Sequence, residues 1–523
     1  MNEFTKTNTP KEYNLAFAVF SFLFFWAIFF DSRSNFYKVF DYSLTDFEQI
    51  IKIGMCFSGV LTLIKPSSVY RLTAFLLLLI AEIFLSLPIA PNHTVFEMLI
   101  AFTVVTCFVI GKIKYKTDFN TKNFYQLFAP VLRLQVLILY FWAVVHKFNK
   151  GFFDKYISCA TVQIFNIKQT LTILPAPEWF ISINPYFTIL IEGSIPILLL
   201  IPKTRLFGIM VGVLFHFVLG FRYTGFTIMI YSLFALFIAE SNYEKLEPYV
   251  NKFTSFVSSS FSKISNYRNW NKSYFDYLVV QIGLVLSILV LLRISISGGP
   301  FSLYILSTEG IYILLCLVFF VSLIVILVNK RFKIVQNVLL IPDYKILLIF
   351  PIIFFINGFF PHIGLKNIQT VAMFSNLQTG GGKTNHLFIP ASFQIFPYLN
   401  DLVEIKGSNS KTLNQFSGYT SIRPMVQTSI KFPNEYVEYL ENSGIEVDTL
   451  YRYTLPFIKL KDFVTDNAKK GRKGLRIEYV RNGKTYYTAN AELDQELNSA
   501  SVFEQKFLSQ RAMPDDERGL CMW

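Results

Sequence analysis

RLQVLILYFWAVVHKFNKG, residues Arg133–Gly151, decides how this chain is read. The stretch is apolar enough to cross a bilayer, yet it carries Arg133, Gln135, Tyr140, His146 and Lys147. An ionised side chain at mid-span costs at least about 2.5–3.5 kcal/mol on insertion scales, so such groups face a protein interior or a wet cavity. Arg133, Tyr140 and Lys147 are spaced by sevens. Seven residues fall about 20° short of two full turns, which places all three on one helix face. The spacing predicts a helix whose polar stripe lines a buried polar site.

The rest of the chain agrees with a membrane setting. Of 523 residues, 53% are hydrophobic and only 16% charged, against about a quarter charged in soluble domains. Apolar runs long enough to cross a hydrocarbon core of about 30 Å fall near 14–30, 48–64, 71–90, 95–111, 126–149, 186–201, 205–220, 224–240, 274–296, 311–329 and 346–360. The first is followed by DSRSNFY, with no small-residue cleavage site, and reads as a retained helix rather than a signal peptide. The net charge of +13 sits mostly in alternate short loops, so it calls for no nucleic acid. Lys65 and Arg71, the lysines of 112–122, Lys203 and Arg205, the basic stretch 241–272 and the cluster 330–345 share one side. The loops near 91–94 and 297–310 hold neither Lys nor Arg, and the short loop at 221–223 holds Arg222 alone. By the positive-inside rule the N-terminus is cytoplasmic, and everything after residue 360 is outside.

The expected fold is therefore a polytopic α-helical membrane protein of about eleven spans with a C-terminal extracytoplasmic β-rich α+β domain. Residues 1–240 form an eight-span block, 241–273 a basic cytoplasmic linker, 274–360 three further spans and 361–523 the outer domain. Within that domain QTVAMFSNLQTGGGKTNHLFI reads as two strands around a glycine turn. PNEYVEYLENSG reads as a short helix between Pro433 and Gly444. LRIEYVRNGKTYYTA reads as a hairpin turning at Asn482-Gly483, the preferred pair of a type I′ turn. No CxxC pair is present and no zinc site is legible. Cys159 and Cys521 lie outside the spans, and a disulfide between them on the outer face is left open.

Orientation adds depth. Lys147 lies near the outer end of its span, with Tyr140 about 10 Å deeper. Glu192 lies about 9 Å below the outer surface, and His216 about 6 Å from the outer end of its own span. His146, Lys147, Glu192, His216 and Arg222 thus fall at one level, brought there by three helices and a loop. Desolvation makes a lysine in such a place a usable base near neutral pH, and a neighbouring carboxylate opposes this. Snorkelling of Lys147 to the interface, or a Glu–Lys pair acting only as glue between helices, is the structural alternative.

RLQVLILYFWAVVHKF resembles the signature helix of the vitamin K-dependent γ-carboxylases and their bacterial relatives, the horizontally transferred transmembrane (HTTM) domain proteins. LIEGSIPILLLIPKTRLFGIMVGVLFHFVLG is similar to the family's next block, with its acidic residue, basic turn and Phe-His. The hairpin, and AMFSNLQTGGGKTNHLFI with its S-N-L and T-N-H, resemble later blocks. The resemblance is best over residues 10–240. It implies that Lys147 is a base acting on a reduced vitamin K or menaquinone-like quinol. His216 and Glu192 would then be catalytic partners, with Arg133, Gln135, Tyr140, His146 and Arg222 around the quinone. His146 stands where the family has the first lysine of a pair. The implied protein is an oxygenase or carboxylase-like enzyme of the bacterial cytoplasmic membrane, with a lipid quinone and an outer-face peptide or protein as partners. The alternative is a non-catalytic membrane binding, maturation or immunity factor on the same scaffold.

Overall fold

The structure, a computed structural model, describes residues 14–31, 45–88, 91–170, 176–221, 223–260, 302–417, 419–421, 434–444, 450–508, 510–514 and 521. The expected span at 274–296 and Arg222 lie outside the described residues. Most of what is described is helical. In chain order the apolar part contains α1 (Leu15–Asp31), α2 (Asp46–Ile64), α3 (Val69–Ser86), α4 (Asn92–Tyr115), α5 (Thr121–Val145), α6 (Lys150–Phe153), α7 (Cys159–Thr170) and α8 (Glu178–Leu200). It continues through α9 (Arg205–Gly220), α10 (Thr224–Ala235), α11 (Glu240–Ser260), α12 (Ser302–Val328) and α13 (Ile349–Phe359). Five of these, α2, α3, α4, α5 and α8, are long and apolar enough to cross a membrane. The chain divides into two compact units whose segments interleave. The first holds residues 1–85, 97–137 and 194–352, and the second 86–96, 138–193 and 353–523.

In the first unit, α1 is the core. Its Phe17, Phe20 and Phe24 are fully buried, and Phe17 and Phe20 meet Phe124 and Phe128 of α5 at 5.6 and 5.2 Å between ring centroids. A helix apolar on every side is one that is covered on every side. α2 opens with a capping box, in which the Thr45 hydroxyl accepts from the Glu48 amide and the Glu48 carboxylate accepts from the Thr45 amide.

The apolar run 224–240 is not one straight helix. α10 ends at Ala235 and α11 leaves at 109°. Side chains take over the backbone groups freed at the break. Arg133 Nε donates to the Leu236 carbonyl (2.7 Å), Tyr243 Oη to that of Ala235 (2.9 Å), and Gln336 Oε1 accepts the Ala239 amide (2.8 Å). Residues 241–260, expected as part of a linker, lie in helix α11.

In the second unit, a two-stranded ribbon pairs β1 (Thr379–Gly380) with β2 (Lys383–Thr384). An antiparallel sheet is built from β3 (Leu402–Ser408), β4 (Tyr419–Ser421), β5 (Leu450–Pro456), β6 (Ile477–Arg481), β7 (Lys484–Thr488) and β8 (Met513–Pro514). Its order is β4-β5-β3-β6-β7, with β8 also beside β5. Four helices accompany it: α14 (Lys411–Asn414), α15 (Asn434–Asn442), α16 (Phe457–Lys469) and α17 (Val502–Phe507). Val403, Ile405, Ile477 and Tyr479 point into one core with Leu460 and Val464 of α16, the alternation a one-sided sheet requires. The hairpin turns at Asn482 and Gly483, both at positive φ (51° and 74°), as a type I′ turn demands. Arg481 pins the sheet to the preceding loop, donating twice to Asp401 (2.8 and 2.7 Å) over the Phe457 ring.

Cys159, at the start of α7, is bonded to Cys521. The link closes a cluster of Phe152, Val162, Phe165, Tyr436 and Leu440. Cys56, Cys107 and Cys316 are free thiols. Denatured but unreduced protein should therefore accept three alkyl groups by intact mass, and all five cysteines should react after reduction. Five without reductant would remove the link.

Candidate functional site at the end of α5

α5 stops at Val145, and the next four residues are fixed by side chains. Asn149 caps α6, its Oδ1 accepting the Phe152 amide (2.9 Å) while its Nδ2 donates to the carbonyls of His146 (2.7 Å) and Ser375 (2.5 Å). Asn376 accepts the Cys159 amide (2.7 Å) and donates to the Ile157 carbonyl (2.9 Å). Asn385 donates to the Asn376 carbonyl (2.7 Å) and to Asn149 Oδ1 (3.3 Å). Three buried asparagines thus knit the tip of α5 to residues 375–387. The two strands expected around the glycine turn of this segment are present, as the short β1–β2 ribbon. The segment is buried from several sides, and its backbone bonds go largely to side chains and to the 145–150 turn.

The knot aims two adjacent residues at different neighbours. Lys147 turns toward α8, and its Nζ lies 2.6 Å from Glu192 Oε2 with side-chain exposures of 4% and 12%. The same ammonium donates to the Ala143 carbonyl (3.1 Å) and stands 5.7 Å from the Phe152 ring centre. Taking two charges out of water costs several kcal/mol each, and mutual attraction offsets this only at such short range. Tyr140, one heptad below, is buried too.

His146, about 100° further round, turns toward α13. Its Nε2 meets the Gly358 carbonyl (2.9 Å), so that nitrogen carries the proton, and its ring stacks on Trp142 at 5.0 Å. Trp142 itself donates to the Phe355 carbonyl (2.9 Å). A Cβ at Gly358 would run into the Trp142 indole, which is why α13 comes this close only with glycine there. His362 follows, 5.2 Å from the His146 ring and 5.0 Å from that of His386. His386 Nε2 donates to the Val145 carbonyl (2.9 Å), and its Nδ1 accepts the amides of Phe388 (3.1 Å) and Ile389 (2.9 Å). Neither ring nitrogen of buried His362 has a hydrogen-bond partner among the described residues. Burial, reinforced by the neighbouring histidines, lowers His362 to about 2. Burial likewise lowers His386. Both are neutral at pH 7. Three of the five histidines in the chain gather here.

Sequence reasoning brought out Lys147, Glu192 and His146 but missed His362 and His386. The one available signal was the rarity of histidine together with the T-N-H block. Of the remaining expected residues that are described, Arg133, Gln135 and His216 lie in the first unit, each with partners of its own. Arg133 donates to the carbonyls of Leu236 and Leu339 (2.7 Å each), and Gln135 to Thr103 Oγ1 (3.0 Å). His216 is buried on α9 among Phe215, Phe226 and Phe234. No protein-family model, no curated protein and no solved structure matches this chain.

The neutral histidines make a pH prediction. Below about pH 6.5 an unfolded histidine binds a proton that the folded His362 and His386 refuse. Stability is therefore full above that pH and falls by up to about 1.4 kcal/mol per pH unit per histidine below it. The midpoint of thermal unfolding in detergent should drop from pH 7 to pH 5. It should drop less in His362→Phe, and an equal drop would contradict the burial of a neutral ring.

Proposed function

We propose that this chain is a multi-pass protein of the bacterial cytoplasmic membrane, of the HTTM and γ-carboxylase-like kind. Lys147 would serve it as a base toward a lipid quinol. The observation that carries the reading is the enclosed Lys147–Glu192 pair at the end of α5. Two further features support the orientation, with the N-terminus in the cytoplasm and the C-terminal domain outside. Loop charge follows the positive-inside rule, and the Cys159–Cys521 link belongs to an oxidising compartment.

The chemistry asked of the chain is modest. The Glu192 carboxylate, 2.6 Å from the Lys147 nitrogen, is the group within reach to take up or return a proton there. The Ala143 carbonyl accepts an N–H of Lys147 (3.1 Å) and holds that nitrogen in place. The two partnerless ring nitrogens of His362 would offer one donor and one acceptor to a hydroxyl or carbonyl of a flat ring, on the α13 side of the turn and not beside Lys147. Bound there, a reduced quinone would supply an acidic hydroxyl and a redox couple for reaction with oxygen. His146 has turned to the Gly358 carbonyl, so a lysine pair is not available and Lys147 acts alone.

The second reading is a non-catalytic membrane binding, maturation or immunity factor that holds a peptide or protein at the outer domain. One observation favours it: Lys147 already has a carboxylate and a carbonyl as partners, as a purely structural pin would.

Mass spectrometry of lipids extracted from the purified protein separates the two. We expect a menaquinone-like molecule to co-purify and to be lost in Lys147→Ala while the protein still inserts and forms its disulfide. A quinone-free preparation with intact biological function, or a Lys147→Ala protein that keeps that function, favours the second reading and removes the first.

A further inference from the structure

The C-terminal domain carries apolar side chains where a domain standing clear in water would not. From Leu387 to Asn400 no residue is charged. Within this run Phe388 is 70% and Ile395 74% exposed, with Leu387 and Phe393 also open. Exposed patches of this kind mark a partner or a membrane.

The run is held where the apolar helices end. Leu387 donates to the Phe148 carbonyl (2.8 Å), just beyond α5, and its far end is fixed by the Phe396 amide on the Ile363 carbonyl (3.0 Å), just beyond α13. Aromatic contacts then continue from Phe388 to Phe148 (5.5 Å), Phe153 (6.3 Å) and Tyr186 of α8 (5.2 Å). α8 is one of the five helices fit to cross a membrane. Its Trp179, Ile183, Tyr186, Phe187 and Leu190 form a single exposed stripe at helical spacing. The exposed run thus continues the exposed stripe of a helix fit to cross a membrane.

A second protrusion repeats the arrangement. α17 exposes Val502 and Phe503, and its Lys506 is bonded to the Leu87 carbonyl (2.5 Å), directly after α3.

We infer that residues 387–396 and the Val502–Phe503 corner of α17 are two wedges that dip into the lipid leaflet on the side of the C-terminal domain. This rests on the membrane reading given above but not on any reaction. Irregular backbone is not tolerated deep in hydrocarbon, so the depth is that of the headgroup–acyl boundary, where aromatic side chains collect. The occupant is lipid rather than a second protein, because the exposed run is continuous with the stripe of α8 and is anchored at helix ends. Its consequence is functional: His386, in the knot of the candidate site, is adjacent in sequence to the first wedge. A lipid-phase molecule would therefore meet the site from the bilayer.

The test uses the full chain in nanodiscs of phosphatidylcholine and phosphatidylglycerol, with p-benzoylphenylalanine placed singly at positions 388, 395 and 503. Leu190 is the in-bilayer reference, and Tyr487, 68% exposed on β7, is the aqueous one. After illumination, lipid adducts are read by intact mass. We expect yields at 388, 395 and 503 to approach that at 190 and to exceed that at 487 about tenfold. Yields no higher than at 487, or cross-linked protein in place of lipid adducts, would overturn the wedges while leaving α8 in the bilayer. No adduct at 190 either would remove the membrane reading with them.

Discussion

A charge carried into an apolar environment must find its opposite at contact distance, or the helix that bears it will not stay there. Lys147 and Glu192 meet that demand at 2.6 Å, and much of the second unit follows from keeping them so. α5 and α8 are held at the one offset that lets a four-carbon stem reach a carboxylate. The ammonium also returns one proton to its own helix, at the Ala143 carbonyl. A pair enclosed in this way contributes little net stability, since desolvation offsets attraction. Its effect is specificity: few other registers of the two helices leave both charges partnered.

The asparagine knot does for the backbone what the ion pair does for charge. Where α5 ends, its last carbonyls would be unpaired. The carbonyl of Val145 receives His386, that of His146 receives Asn149, and that of Phe148 receives the Leu387 amide. The helix end, the disulfide-bearing start of α7 and the 375–387 segment thereby form one rigid base. On it, His146 and Lys147 can be adjacent in sequence and still serve different neighbours. The same logic, in the first unit, lets α10 break sharply, with Arg133, Tyr243 and Gln336 supplying the lost bonds.

Local rules were legible where local physics decides. The Asn482-Gly483 hairpin and the helix Asn434–Asn442 stand where turn chemistry and helix stop signals put them. Apart from 224–240, which breaks after Ala235, the expected spans on described residues fall on apolar helices, five of them long enough by themselves to cross a bilayer. The heptad spacing of Arg133, Tyr140 and Lys147 did mark a buried face. What the sequence hid were long-range choices. The break after Ala235 is invisible in an apolar run, because the groups that satisfy it come from residues 133, 243 and 336. The 375–387 segment pairs as strands only at Thr379–Gly380 and Lys383–Thr384, and Asn149 from beyond α5, with Asn376 and Asn385 of the segment itself, takes up other backbone groups. His362 carries no sequence signal of its own and gains meaning only with His146 and His386 beside it. Glu192 was legible as an acid within an apolar run, but its partner was not, because the histidines and Lys147 all stood open.

The account stands on the Lys147–Glu192 contact, and a double-mutant cycle addresses it directly. Unfolding midpoints and folded yields in detergent would be compared for Lys147→Met, Glu192→Leu and the pair together. Removing one partner strands a buried charge, and each single variant should lose about 3–5 kcal/mol, whereas the double variant should lie close to the parent protein. Single effects that simply add in the double variant would mean that the two side chains do not meet, and the proposed site at the end of α5 would go with them.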